Sequence, residues 1–210
     1  MTDTEGLTAA SRAEELRAIG VATLHEANRR RGLLTGIRIM CGQAFAGQAV
    51  TVTIPAGDNL GIHWLLQEFP AGSVLCVASR GEGRYGCVGE LIGRSARALG
   101  AVGLVIDDAI RDIEQLDALG FPMAARGLTA QGTIKRRVID IARPIALGGV
   151  GVDVGDWIVG DHDGVVAIAA AAVDEVIIRA RERLAKEERV AVELDSGCTT
   201  VDVFGLVGRR

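Results

Sequence analysis

The sequence predicts an α/β protein, and three observations carry that prediction. Apolar residues make up 49% of the 210-residue chain and aromatic residues only 3%. The core is therefore built from Ala, Val, Leu and Ile, which suits closely packed helices and strands. Residues 89–112 read as a glycine-opened helix, a buried apolar strand and a turn ending on Arg111 and Asp112, the succession of a β/α unit. Short apolar strands separated by Gly and Asp turns crowd the stretch beyond residue 138, which predicts a curved sheet or barrel.

In chain order, residues 13–27 read as one amphipathic helix, with Leu16, Ile19, Val21 and Leu24 on its apolar face and Ser11 as its cap. Residues 44–54 alternate as a strand and close on Pro55-Ala56-Gly57. Residues 58–69 form a helix with Asn59 near its start, and residues 73–78 an apolar, buried strand. The stretch 79–89 is Gly-rich and reads as a loop where backbone approaches something closely. Residues 89–99 form a helix stopped by Gly100, 103–107 a second buried strand, 112–119 a short helix stopped by Gly120, and 122–126 a third strand. Shorter strands follow at 138–144, 150–154, 158–160 and 165–169, joined by turns at 154–157 and 161–164. Residues 173–194 form the longest helix, with one apolar stripe at positions 173, 176, 177, 180 and 184. Neither a repeat nor a linker interrupts this order, so residues 1–210 are read as a single domain.

Charge and composition exclude several classes. A net charge of −4 argues against a nucleic-acid partner. The longest apolar run, 165–173, is too short for a membrane span and meets Asp174 and Glu175 at once. The opening stretch MTDTEGLTAA is acidic and lacks the pattern of a secretory signal. The expectation is a soluble, cytoplasmic protein with no membrane partner. Cys41, Cys76, Cys87 and Cys198 show no CxxC spacing and read as reduced, mostly packed thiols.

The chemistry-bearing residues cluster in 89–112. A helix start offers unpaired N–H groups and partial positive charge, which bind oxyanions. Glu90 and Asp112 offer hard oxygen ligands for a divalent cation, and Arg111 a planar fork of donors. Asp107 and Asp108 add two acids at the mouth of an apolar strand, where packing does not explain them. His25, His63 and His162 fit no metal spacing and read as structural or solvent-facing. The turn Asp161-His162-Asp163-Gly164 is too short for an EF-hand loop. Neither a dinucleotide fingerprint nor a nucleophile elbow is present.

These motifs together resemble the RraA-like family. They are PAGDN (55–59), GELIGRSA (89–96), GAVGLVIDDAIRD (100–112), GFPMAARG (120–127), GTIK (132–135), VGDWIVGDHDGVVAI (154–168) and KEERVAVELDSG (186–197). The family includes the class II pyruvate aldolases that cleave 4-hydroxy-4-methyl-2-oxoglutarate and 4-carboxy-4-hydroxy-2-oxoadipate in aromatic catabolism. Asp108 departs from it, since a small residue, commonly Gly, stands there in most members.

The resemblance implies a β/β/α sandwich with a barrel-like core, similar to the swivelling phosphohistidine domain. It implies assembly as a homotrimer or homohexamer with the active site at the subunit interface. Amides of Gly89, Glu90, Leu91 and Ile92 would hold the carboxylate of a pyruvate unit, and Arg111 its keto oxygen. Glu90 and Asp112 would hold Mg²⁺ or Mn²⁺, largely through waters. Glu187, with Glu188 as the alternative, would enter from the C-terminal helix of a neighbouring copy. Arg84, His63 and Lys135 are the candidates for reading a far carboxylate. The implied activity is retro-aldol cleavage of a 4-hydroxy-2-oxo diacid to pyruvate and a second oxo acid, with oxaloacetate decarboxylation as a side reaction. Because no lysine is expected in this constellation, the route is metal-dependent and not through a Schiff base. The rival expectation is a non-enzymatic regulator that binds and inhibits RNase E.

Overall fold

The computed structural model describes residues 8–206, so residues 1–7 of the acidic opening stretch lie outside the described residues. The predicted helix at 13–27 is in fact two, α1 (Ala9–Ile19) and α2 (Val21–Ala27). Gly20 parts them at φ +85°, a conformation in which a side chain would clash with its own backbone. Thr8, and not Ser11, caps α1: its hydroxyl accepts the Ser11 amide at 3.2 Å.

The chain continues through β1 (Arg38–Cys41), β2 (Phe45–Ile54), α3 (Leu60–Leu65) with a 3₁₀ turn after it, β3 (Ser73–Ser79), β4 (Gly86–Val88) and α4 (Glu90–Ala98). Next come β5 (Gly103–Ile106), β6 (Ala109–Ile110), α5 (Ile113–Leu119), β7 (Met123–Ala125) and β8 (Gly127–Leu128). The last third holds β9 (Asp140–Ile141), β10 (Ile145–Leu147), β11 (Val150–Val152), β12 (Trp157–Asp161), β13 (Gly164–Ile168), α6 (Val173–Asp195) and α7 (Thr200–Val203). The predicted strand at 138–144 shrinks to the two residues of β9. Pro144 has no amide to pair, and Arg143 is exposed. The strand β1 has too few buried positions to show in the apolar pattern.

The main sheet runs β1-β7-β5-β3-β2-β12-β13, with β9 paired to β2. Strands β2, β3, β5 and β7 are parallel neighbours, and β1, β12 and β13 are antiparallel additions. The sheet curls until its two edges meet. The segment before β1 joins β13 through Leu34 N to Val165 O at 2.9 Å and Ala167 N to Gly32 O at 2.8 Å. No helix among the described residues is long and apolar enough to cross a membrane.

Alternation sorts the side chains cleanly, as the two-residue period of a strand demands. Val74, Cys76, Ala78, Val105, Ala124, Ile158, Val165 and Ala167 face the inside of the curl, which the β10–β11 hairpin closes with Ile145, Leu147 and Val152. Their neighbours Leu75, Val77, Leu104, Ile106 and Met123 face outward against α3, α4 and α5. Those helices share one face because each link between sequential parallel strands crosses with the same hand. Trp157, Val159, Val166 and Ile168 pack outward against α1, α2 and α6. The stripe on α6 is buried at Val173, Val176, Ile177 and Ala180 but not at Leu184, so the helix runs on beyond its support.

A narrow curl needs small residues, which accounts for the scarcity of aromatics. The one aromatic inside, Phe45, sits directly over Gly103 and Gly160. A Cβ on Gly103 would lie 2.6 Å from the Phe45 ring, and one on Gly160 2.5 Å from it. Gly103→Ala or Gly160→Ala should therefore cost about 1–3 kcal/mol, read as a shift in the denaturant midpoint without a change in slope.

Candidate active site

Three strands of the main sheet pause and resume as a second, smaller one. After the Gly-rich loop β3 leads to β4, after Asp107-Asp108 β5 leads to β6, and after Arg126 β7 leads to β8. Strands β4, β6 and β8 pair in parallel in the order β4-β6-β8. Parallel strands end at a common edge. Gly89 with α4, the Arg111-Asp112 turn and the loop after Leu128 are thereby delivered side by side.

The acids at the break hold it together. Asp107 pairs with Arg126 and accepts the Gly148 amide at 3.2 Å. Asp108 is fully buried. Its carboxylate accepts from the Ser79 hydroxyl at 2.5 Å, the Tyr85 amide at 3.0 Å and the Ala109 amide at 2.9 Å. The expectation that these two acids escape a packing explanation is thus corrected. The carboxylate also explains the Gly-rich loop, because a Cβ on Gly81 would fall on Asp108 Oδ2. Burial, and then the neighbouring Asp108, push the Cys87 thiol up, which keeps it a protonated packing group.

Asp112 takes the left-handed conformation at φ 59°, ψ 42°, which Asp tolerates better than most residues. It stands at the N-cap of α5, where its side chain makes no bond to its own helix. Its Oδ2 instead reaches the α4 start, accepts the Glu90 amide at 3.1 Å and lies 3.7 Å from Arg111 Nε. A Cβ on Gly89 would collide with that same oxygen. The amides of Leu91 and Ile92 keep no acceptor among the described residues. Of the helix-start amides expected to bind an anion, Glu90's is thus taken and these two are free.

The Glu90 carboxylate accepts Arg94 Nε at 2.7 Å one turn along. Among the described residues no group of three or more His, Cys, Asp or Glu forms a metal cage. Asp112 Oδ1 has no partner among them. One free carboxylate oxygen beside a cleft fits Mg²⁺ or Mn²⁺ that keeps most of its waters, and does not fit a protein-only cage.

Gly89, Glu90, Leu91, Ile92, Arg111 and Asp112 line one cleft of about 390 Å³. Asn59, His63 and Lys135 complete it from the other side. Sequence reasoning gave Asn59 no role and named Lys135 and His63 only as candidates for reading a far carboxylate; the structure brings all three to the cleft. Lys135 is exposed, which suits a contact to a carboxylate better than a Schiff base, whose amine needs a desolvating pocket. Asp58 holds this side in place: its buried carboxylate accepts the amides of Leu60 at 3.1 Å, Arg136 at 3.1 Å and Arg137 at 2.9 Å. Burial pushes the Asp58 carboxyl up, but those amides together outweigh it and hold the group below its ordinary 3.8.

Arg84 does not join the cleft; its Nε donates to Gly81 O at 3.0 Å within the Gly-rich loop. His162 faces a groove at the opposite end of the sheet, and His25 lies on α2. Glu187 and Glu188 lie on α6, where Glu187 pairs with Arg183 at 2.9 Å; within one chain neither lines the cleft.

The model of the RraA-like family, described as Aldolase/RraA, matches residues 15–167. A Halalkalibacterium halodurans protein provisionally named 4-hydroxy-4-methyl-2-oxoglutarate aldolase is 37% identical over 142 residues, which are 68% of this chain and 68% of that one. A Pseudomonas syringae crystal structure superposes with a TM-score of 0.85 at 26% identity, covering 99% of each chain. That of Streptomyces coelicolor RraAS2, described as an unusual member of the RNase ES inhibitor RraA family, gives 0.79 at 26% identity, covering 89% of this chain and 98% of that one.

The Asp58 anchor is open to test. Its folded pKa is depressed, so its stabilisation is present above the unfolded value near 3.8 and is lost as pH falls through the folded value below it. Asp58→Ala should cost on the order of 2 kcal/mol at neutral pH. It should also flatten that acid limb of the stability curve, measured by denaturant titration across pH.

Proposed function

Because this chain belongs to the RraA-like family of aldolases and RraA proteins, we propose that its cleft cleaves a 4-hydroxy-2-oxo acid to pyruvate and a second oxo acid. The observation that carries this reading is the convergence of two free helix-start amides, Arg111 and Asp112 on one cleft. The aldolase name of the Halalkalibacterium halodurans relative points the same way.

The chain's own groups divide the work by charge. The Leu91 and Ile92 amides, with the positive end of α4 behind them, bind the carboxylate of the pyruvate unit. The Arg111 guanidinium donates to the 2-oxo oxygen. A water in the cleft takes the proton of the C4 hydroxyl, that oxygen becomes the new carbonyl as the C3–C4 bond breaks, and the bond's electron pair spreads to the 2-oxo oxygen as an enolate. A fixed cation already aimed there stabilises the charge as it forms, with little reorganisation. A bound Mg²⁺ or Mn²⁺ on Asp112 would supply a Lewis acid for the same oxygen. Asp112 also positions the site, because its contact with the Glu90 amide ties the α4 start to the Arg111 turn. Oxaloacetate decarboxylation passes through the same enolate, so it accompanies the cleavage. Lys135, across the cleft, is the cation placed to meet a distal carboxylate.

The cleft is open, and its surroundings favour cover from another copy. Leu91 is 80% exposed, Ile134 52% and Leu128 50%. These apolar side chains stand at the start of α4, at the end of β8 and in the segment before Lys135, and a homotrimer or homohexamer would bury them. In such an assembly Glu187 of a neighbouring copy is the acid that returns a proton to the enolate carbon.

The likeness to RraAS2 favours a second reading, a regulator that binds an RNase E-type ribonuclease without catalysis. Incubation with a panel of 2-oxo acids, with pyruvate detected through lactate dehydrogenase, separates the two. Pyruvate release supports the aldolase. Capture of RNase E with no pyruvate release supports the regulator.

Arg111→Ala should lower pyruvate release by roughly 10³-fold with an unchanged melting temperature. Asp112→Asn, which keeps the left-handed backbone, should do the same. Treatment with EDTA should abolish activity and added Mg²⁺ or Mn²⁺ restore it; full activity after chelation would remove the metal from this scheme.

A further inference from the structure

Two polar side-chain atoms buried in the cleft have no hydrogen-bond partner among the described residues: Asn59 Oδ1 and His63 Nε2. Leaving such atoms unpaired costs free energy that a ligand can recover. Asn59 is only 4% exposed. Its Nδ2 donates to Cys87 O at 2.9 Å. That bond fixes the amide's orientation, because a flip would set one carbonyl against another. Oδ1 therefore faces away from Cys87 as a committed acceptor. His63 follows four residues later, on the next turn of α3, and shares the same side of the cleft. Burial, and then the charge of Lys135, push its imidazole below its ordinary 6.5, which favours the neutral form. In the Nε2–H form it adds a donor to a cleft in which Asn59 is an acceptor. One acceptor and one donor lining a common space match a single hydroxyl group, whose O–H donates to one and whose oxygen accepts from the other.

We propose that Asn59 and His63 form a hydroxyl-reading subsite, in the same cleft as Arg111, that positions the C4 hydroxyl of the oxo-acid substrate. The proposal rests on the aldolase reading and deepens it, since it names what these two residues recognise. Both are positioning residues, and the group they hold is the one whose oxygen becomes the new carbonyl. A site built around a hydroxyl also discriminates against ligands without one, because their binding strands the buried acceptor and donor again. Oxaloacetate has no C4 hydroxyl, so its decarboxylation provides an internal reference on the same enolate chemistry.

The test compares wild type, His63→Leu, His63→Gln and Asn59→Ala in two assays, pyruvate release from 4-hydroxy-2-oxoglutarate and from oxaloacetate. The readout is the ratio of the two kcat/KM values. His63→Leu should lower the ratio by roughly 30-fold or more. His63→Gln, which keeps an N–H donor, should stay within about threefold of wild type. Asn59→Ala should lower it as His63→Leu does. His63 lies at the cleft edge, half-buried, so its variants remain informative if Asn59→Ala fails to fold. An unchanged ratio in His63→Leu overturns the subsite while leaving the aldolase reading intact, and so does equal behaviour of His63→Leu and His63→Gln. A wild-type protein inactive on both compounds overturns the aldolase reading and the subsite with it.

Discussion

A fully buried carboxylate tolerates almost no freedom, and the architecture of the cleft hangs on how Asp108 meets that demand. Burying a charge is costly unless donors surround it. Asp108 finds them in the Ser79 hydroxyl and in the amides of Tyr85 and Ala109, which come from β3's end, the Gly-rich loop and β6. Three segments far apart in sequence are thereby pinned to one point. The small sheet can then align β4 with β6, and its parallel sense puts the ends of both strands at one edge.

From that edge the electrostatics follow. Asp112 turns into the left-handed region and offers its carboxylate to the neighbouring helix, leaving its own uncapped. A negative group at the α4 start both satisfies an orphan amide and complements the helix dipole. The next two amides stay open to a ligand. Arg111 stands beside them, partly neutralised by Asp112 at 3.7 Å. The result is one cleft that holds cationic donors together with a neutral acceptor and donor. That combination suits a molecule that carries both an anionic oxo acid and a hydroxyl.

Much of this was legible in the sequence. The succession of helix and strand through 89–125 followed from apolar period and glycine stops, and it placed Glu90, Arg111 and Asp112 near one another. The helix at 13–27 was over-extended because Leu16, Val21 and Leu24 keep a helical spacing across Gly20, whose φ of +85° the pattern does not reveal. β6 and β8 were invisible because two residues carry no period. The low aromatic content was noticed without its reason, which is the narrow curl around Phe45, Gly103 and Gly160.

What the sequence by itself determined is the set of elements and the chemical inventory at their ends, since period, caps and turns act over a few residues. Which groups are spent and which stay free was decided by the tertiary structure alone. The Glu90 carboxylate is paired with Arg94, the Glu90 amide is claimed by a residue 22 positions away, and Lys135 is brought in by an Asp58 contact that spans 78. Asn59 and His63 look like ordinary helix residues until folding buries their polar atoms without a mate. Hydrogen-bond satisfaction is a property of the whole neighbourhood, and a string of residues does not state its neighbours.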